Sequence, residues 1–270
     1  MSVSFQAIAV AGGVASAEFS AQTGVQNRAL VQLAQDKTML NFVLAALLSA
    51  THVSGVTVVG DIPAEQIQRH GDKVKLVKPG DSLIDNILIG LAAVGSKPGD
   101  RVLMVGADIP FISAEAVDDF VMQASATSAD FCYPIIPMAD YNREFAGMKR
   151  TTLKLREGEF TGGNIMLCRA GVLTANPDAI RAAYAGRKSV MKIGAMLGWG
   201  LLLRIAVSQL AAPGLLNIPL LEKAIGNLLG TGVRASAVIT KHASIGTDVD
   251  KPEDVEYARE WFAKRGCSSA

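Results

Sequence analysis

A chain of 270 residues, half of them apolar, can bury one sizeable core, and one domain with an elaboration is expected rather than two equal domains. Its 26 basic and 25 acidic residues leave a formal charge of +1, so there is no global electrostatic case for nucleic acid as a partner. Cys132, Cys168 and Cys267 form no close pair, which argues against a disulfide framework or a Cys-rich zinc site.

The first ten residues carry no basic segment ahead of their apolar stretch, so a cytoplasmic location is expected and a secretory signal is not. Ala7 to Val10 reads as a first strand ending at Ala11-Gly-Gly13, where glycines permit a tight turn close to a ligand. The stretch to Asn27 is small and polar and reads as a loop, and Met39 to Ala50 has an apolar helical pattern. Val56 to Val59 and Lys73 to Val77 supply two further strands. Ser82 to Ala93 has helical spacing with Asp81 or Ser82 as its cap, and Ser113 caps a later helix. Between them, Val102-Leu-Met-Val105 reads as a buried strand.

Asp130 to Ile136 predicts another strand, Asn142 to Arg156 is polar and basic, and Phe160-Thr-Gly-Gly-Asn-Ile-Met-Leu-Cys168 reads as a glycine turn feeding a strand. Gly162, Gly163 and Asn164 there could form a wall for a second substrate. The Leu-rich stretch Met191 to Gly230 breaks the alternating pattern. Arg204 splits its most apolar part, so two or three amphipathic helices are expected, not a span. They could cover the core, pair two copies, or rest on a bilayer surface. Val233 to Thr240 returns to strand composition, and Pro252 to Lys264 predicts a last helix. The whole is expected to be α/β, a doubly wound, mostly parallel sheet with a C-terminal helical insertion at 187–231 inside a single domain of 1–270.

Sites in such sheets gather at the carboxyl ends of strands, where both Gly12 and Asp108 should lie. Gly106-Ala-Asp-Ile-Pro-Phe111 places a carboxylate just past a buried strand, and Asp248-Val-Asp-Lys-Pro-Glu-Asp254 could complete a divalent-cation site from far along the chain. Two such clusters suggest metal-assisted phosphoryl chemistry. The plainer alternatives are a turn aspartate at Asp108 and a helix cap at Asp250. The three histidines have no metal-ligand spacing, and no nucleophile elbow is present.

Taken together, Ala11-Gly-Gly13, Asn27-Arg-Ala-Leu30, Gly80-Asp-Ser-Leu83, Gly106-Ala-Asp-Ile-Pro110 and Asp248-Val-Asp-Lys-Pro-Glu-Asp254 resemble the nucleotidyltransferases related to the molybdenum-cofactor guanylyl- and cytidylyltransferases, within the sugar-nucleotide pyrophosphorylase superfamily. The resemblance spans most of the chain but leaves out most of Met191 to Gly230. It implies a nucleotide-diphospho-sugar transferase type of fold and binding of a nucleoside triphosphate, CTP or GTP favoured, by Ala11, Gly12, Gly13, Arg28, Asp81 and Ser82. It further implies Mg²⁺ on Asp108 and Asp250, with Asp248 a near alternative, and Arg28 as a catalytic cation. The nucleotidyl group would pass to a phosphorylated or hydroxyl-bearing small molecule with loss of pyrophosphate.

The family follows its glycine pair with another glycine and an arginine, then an asparagine-lysine pair. Here Val14-Ala-Ser-Ala-Glu-Phe-Ser-Ala holds neither, Glu18 lies in that stretch, and Arg28 stands where lysine is expected. Arg143, Lys149, Arg150 and Lys154 could compensate, with Lys149 or Arg150 reaching substrate phosphate. The competing reading is a catalytically weak or inactive nucleotide-binding protein that engages a partner. A dehydrogenase is disfavoured because the first loop lacks G-x-G-x-x-G.

Overall fold

The computed structural model describes residues 4–34, 36–68, 71–186, 199–210 and 213–265. Residues 191–198 and 211–212 of the expected helical stretch, residues 187–190 of the expected insertion, and Cys267 lie outside them. In chain order the elements are β1 (Phe5–Val10), α1 (Ala17–Thr23), β2 (Gln32–Ala34), β3 (Lys37–Thr38), α2 (Met39–Ser49), β4 (Val53–Val59), α3 (Glu65–Gln68), β5 (Val74–Val77), α4 (Leu83–Ala93), β6 (Arg101–Gly106) and α5 (Ala114–Ala126). Then follow β7 (Phe131–Pro137), α6 (Met138–Phe145), β8 (Leu153–Leu155), β9 (Gly158–Gly162), β10 (Ile165–Arg169), α7 (Ala170–Thr174), α8 (Pro177–Gly186), α9 (Trp199–Leu210), α10 (Ile218–Leu229), β11 (Ala235–Ile239) and α11 (Pro252–Lys264).

Nine strands form one sheet in the order β5-β4-β1-β6-β10-β7-β9-β8, with β11 beside β7. β5, β4, β1 and β6 are parallel, and β11 is parallel to β7. β10 runs against both β6 and β7, and β9 runs against β7, so the sheet is mixed but mostly parallel. Because β9 and β10 share one direction, the chain passes Gly163 and Asn164 without reversing. The expected glycine turn is a kink in a running strand.

Alternation along the strands sends side chains to two cores. Ala7, Ala9, Leu103 and Val105 pack with Leu40, Leu44 and Leu47 of α2 and Val117 and Phe120 of α5 on one face. Ile8 and Met104 pack with Ile84, Ile87 and Leu91 of α4 on the other. The helix starts follow from local chemistry. Thr38 and Asn41 exchange side-chain and backbone hydrogen bonds at the head of α2, and the Ser82 and Ser113 hydroxyls accept from Asp85 and Ala116 N–H groups at α4 and α5.

Two local readings differ from the structure. The polar stretch before Asn27 holds α1, capped by Ser16 and closed by Gly24 at φ 75°; a seven-residue helix with one buried side chain, Phe19, leaves almost no apolar period to detect. The polar, basic stretch Asn142 to Arg156 holds the end of α6 and then β8, and the buried Tyr141 and Phe145 are too few to betray the helix.

The Leu-rich segment folds onto the sheet edges. Gln209 of α9 accepts from Lys154 N (2.8 Å) and donates to Lys154 O (3.0 Å), while Arg156 N donates to Leu216 O (2.7 Å). These bonds cover the outer edge of β8, a row of backbone groups that would otherwise invite another strand. Glu222 of α10 does the same for β11, accepting from Ala237 N at 2.8 Å. Leu216 is fully buried with Ile135, Leu155 and Phe160. No described helix is long and apolar enough to cross a membrane.

Candidate functional site

A cleft of about 570 Å³, within the usual range for a small-molecule site, opens over the carboxyl ends of β1 and β6. Ala11, Gly12, Gly13, Asn27 and Arg28 line one side, Asp81, Ser82 and Asn86 another, and Asp108, Gly163 and Asn164 the floor and far wall. Gly162 and Lys149 stand outside that lining, and Lys149 is exposed.

The glycine loop is held by its neighbours. Ala11 N donates to Val59 O (2.8 Å), and Asn27 donates from Nδ2 to Ala11 O (2.8 Å) while its Oδ1 accepts from Ala29 N (3.0 Å). Neither Gly12 nor Gly13 has positive φ. Glycine is required at position 12 for close approach, because a Cβ there would collide with the Asn86 amide and meet Pro79 Cβ at 3.3 Å. Asn86 is 4% exposed, and its Oδ1 accepts from Gly80 N at 2.7 Å, joining the first loop to the start of α4. Sequence reading missed it; the signal was one asparagine inside the apolar run Ser82 to Ala93. Ser82 is committed to the helix cap and donates to Asp85 Oδ2 at 2.6 Å. Glu18 is exposed in the first turn of α1 and does not line the cleft, so it does not oppose phosphate there.

The two acidic clusters meet. Carboxylate oxygens of Asp108, Asp248 and Asp250 lie within 4.8 Å of one another. Val249 N donates to Asp108 O (2.9 Å), tying the two segments by backbone. Behind them, the Phe111 ring packs at 5.0 Å from Trp261 and 5.6 Å from Phe262 on α11, and at 5.0 Å from Phe145 on α6. An aromatic three residues beyond Asp108 thus staples its strand end to the helix that follows Asp250. The helix-cap alternative for Asp250 does not hold. Asp254 Oδ2 accepts from the Asp250 and Lys251 N–H groups (3.2 and 2.9 Å), and the Asp250 carboxylate faces Arg28 instead.

Two guanidinium groups enter the cluster. Arg28 pairs with Asp250 and lies 3.8 Å from Asp108, and Arg150 pairs with Asp248. Of the four basic residues weighed as compensation, Arg150 is the one placed here. Arg143 is exposed beside Asp140, and Lys154 is exposed on β8. Three carboxylates against two guanidinium groups leave one negative charge in excess. Burial, then the Asp250 charge, push the Asp108 carboxyl above its ordinary pKa against the pull of Arg28 and Arg150. Converging hard oxygens with surplus negative charge fit a divalent cation such as Mg²⁺. Arg28 Nε and Asn164 Nδ2 are buried with no hydrogen-bond partner, two donors beside the cleft with bonding capacity in hand.

Comparison with known proteins bears on the fold and the family. The structure is similar to a hypothetical transferase from Thermus thermophilus, with 30% identity, 94% of this chain and 100% of that one covered, and a TM-score of 0.78. The fold is also shared with 2-C-methyl-D-erythritol 4-phosphate cytidylyltransferase of Francisella tularensis (14% identity, 96% and 99% covered, TM-score 0.57). A CMP:2-keto-3-deoxy-manno-octonic acid synthetase complexed with CTP shares it as well (16% identity, 98% and 100% covered, TM-score 0.58). The curated proteins give no match. The family model described as the MobA-like NTP transferase domain matches residues 7–189, well over half the chain, and the protein belongs to that family of nucleotidyltransferases.

Proposed function

We propose that the protein transfers a nucleotidyl group from a nucleoside triphosphate, CTP or GTP favoured, to a phosphorylated or hydroxyl-bearing small molecule, releasing pyrophosphate in a Mg²⁺-dependent reaction. The observation that carries this reading is the convergence of Asp108, Asp248 and Asp250 with Arg28 at the rim of the glycine-loop cleft. Asp108 and Asp250, with Asp248 beside them, would hold Mg²⁺, which supplies charge neutralisation and Lewis-acid polarisation of the α-phosphate when bound.

The chain's own groups do the rest. Gly12 and Gly13 let backbone approach the triphosphate where any side chain would intrude. Arg28, whose planar fork suits phosphate oxygens, neutralises charge that grows on the leaving pyrophosphate. The Asn164 amide donates from the far wall, and Arg150 orients Asp248 through their ion pair. An acceptor oxygen, already ionised on a phosphate or losing its proton to water on a hydroxyl, then bonds to the α-phosphorus as the bond to the bridging oxygen of the leaving pyrophosphate breaks, the two oxygens in line. In this reading residues 1–270 act as one unit with 187–231 an insertion. Leu203 and Leu210, exposed on α9, form the surface on which contact with lipid or a second copy would rest.

The test is pyrophosphate release from each of the four ribonucleoside triphosphates, with Mg²⁺, against a panel of sugar phosphates, alditol phosphates and cofactor precursors. Release that needs one triphosphate, Mg²⁺ and one acceptor supports the reading. No release with any pairing, while nucleotide still binds, favours the weak or inactive binding protein.

A further inference from the structure

The charged rim occupies only part of the cleft. Leu83 and Ile87 of α4, Met104 of β6, Met166 of β10 and Tyr184 of α8 line the rest, and all five belong to one apolar cluster on the α4 face of the sheet. Met104 lies directly across from Met166 in the sheet register, four residues back from Asp108 on the same strand path. A Cβ added to Gly106, two residues along from Met104, would meet Asp108 Oδ1 at 2.5 Å, so the carboxylate turns back toward β6 and the charged and apolar parts adjoin. A ligand that spans both parts has a charged end and a flat or apolar end.

Tyr184 is brought there by a fastening between elements 96 residues apart. Arg181 donates from Nε and Nη2 to Asp85 Oδ1 (3.0 and 2.7 Å) and from Nη1 to Asp178 Oδ1 (2.6 Å). The other Asp85 oxygen accepts from the Ser82 hydroxyl that caps α4. Arg181 and Tyr184 are three positions apart on α8 and so share a face, which means the ion pair that pins α8 to α4 also sets the aromatic ring over the cleft.

Resting on the nucleotide reading above and deepening it, we propose that Tyr184 is the nucleobase wall of this site, a ring against which the base packs, with Arg181 and Asp85 as the residues that position it. An aromatic face serves any base, so the contact contributes affinity for nucleotides as a class. It contributes nothing to binding of a bare polyphosphate, which has no base to place beside the ring.

The experiment is calorimetric titration, in Mg²⁺, of CTP, GTP and inorganic tripolyphosphate into the wild-type protein, Y184F, Y184A and R181A, each first shown to melt as one cooperative unit. Wild type and Y184F should bind the nucleotides alike. Y184A should bind them roughly 5- to 150-fold more weakly, the range alanine substitution gives for base-aromatic stacking. R181A should show a smaller loss of the same kind, and tripolyphosphate should bind all four proteins equally. Nucleotide affinity unchanged in Y184A, or tripolyphosphate affinity falling in step with it, would overturn the assignment while leaving the triphosphate site standing. Wild-type protein that binds neither nucleotide nor tripolyphosphate would remove the nucleotide reading itself, and this inference with it.

Discussion

The strand ends around Asp108 and the Leu-rich segment over β8 and β11 are built for opposite purposes. At the strand ends three carboxylates and two guanidinium groups crowd a small volume, and one carboxyl is held above its ordinary pKa. Over the sheet edges the main polar contacts complete backbone hydrogen bonds: Gln209 to Lys154, Leu216 to Arg156, Glu222 to Ala237. Crowded charge with one carboxylate in excess is what the proposed chemistry would draw on in the first region. Polar groups that the fold does need mark the second as structural.

That contrast predicts opposite signatures for substitutions in the two places. The largest effect falls on D108A. Losing a carboxylate proposed to hold the cation should lower the rate of nucleotidyl transfer by roughly a thousandfold or more. The melting temperature should stay level or rise, since burial already disfavours the ionised side chain. A D108A protein that is unstable yet active would break the comparison.

Phe111 sits between the two behaviours. F111A should cost about 3–5 kcal/mol in urea denaturation, because the ring is 5% exposed and packed among four aromatic neighbours, Phe145, Tyr257, Trp261 and Phe262. It should also lower activity in the fraction that remains folded, as the Asp108 and Asp250 segments lose their staple. Activity per folded molecule equal to wild type would show that Val249 N to Asp108 O holds the clusters together unaided.

Q209A should cost about 1–2 kcal/mol, for the Lys154 N–H it leaves unbonded while the Lys154 carbonyl keeps the Ser208 hydroxyl, and leave nucleotide affinity unchanged. A change in affinity without a change in stability would move α9 from edge cover to substrate contact.

The smallest effect belongs to D85N. The Ser82 hydroxyl and then Arg181 hold the Asp85 carboxyl below its ordinary pKa of 3.8. A depressed folded pKa stabilises above the unfolded value and loses that contribution as pH falls through the folded one. The gap in melting temperature between wild type and D85N should therefore be constant from pH 6 to 8 and close as the pH falls below the ordinary carboxylate range. A gap that widens toward low pH would contradict the sign.

The same contrast explains what was legible in the sequence. Strands at Ala7 and Val102 and the helix from Met39 announce themselves because apolar period reports burial, which is what shaped them. Asp108 and Asp250 stood out because one follows a buried apolar run and the other lies in a dense acidic cluster, Asp248 to Asp254, and the family resemblance carries both. Asn86 and Tyr184 were hidden inside runs whose pattern is packing, and one polar or aromatic side chain barely disturbs a period. The Arg150–Asp248 pair was invisible for another reason: an ion pair between residues about a hundred positions apart has no local signature. The Leu-rich segment was read as helical, and its described part does hold α9 and α10, but apolar period cannot say what a helix covers. That answer lay in Gln209 and Leu216, which meet β8 only after the sheet has formed.

The central claim is that the acidic convergence serves a cation-bound nucleoside triphosphate, and its most direct measurement is calorimetric titration of CTP, GTP, ATP and UTP with and without Mg²⁺, into wild type and D108A. The account predicts binding of one or two of the four that depends on Mg²⁺ and disappears in D108A. Binding that is indifferent to Mg²⁺ and to Asp108, or no binding at all, would contradict it.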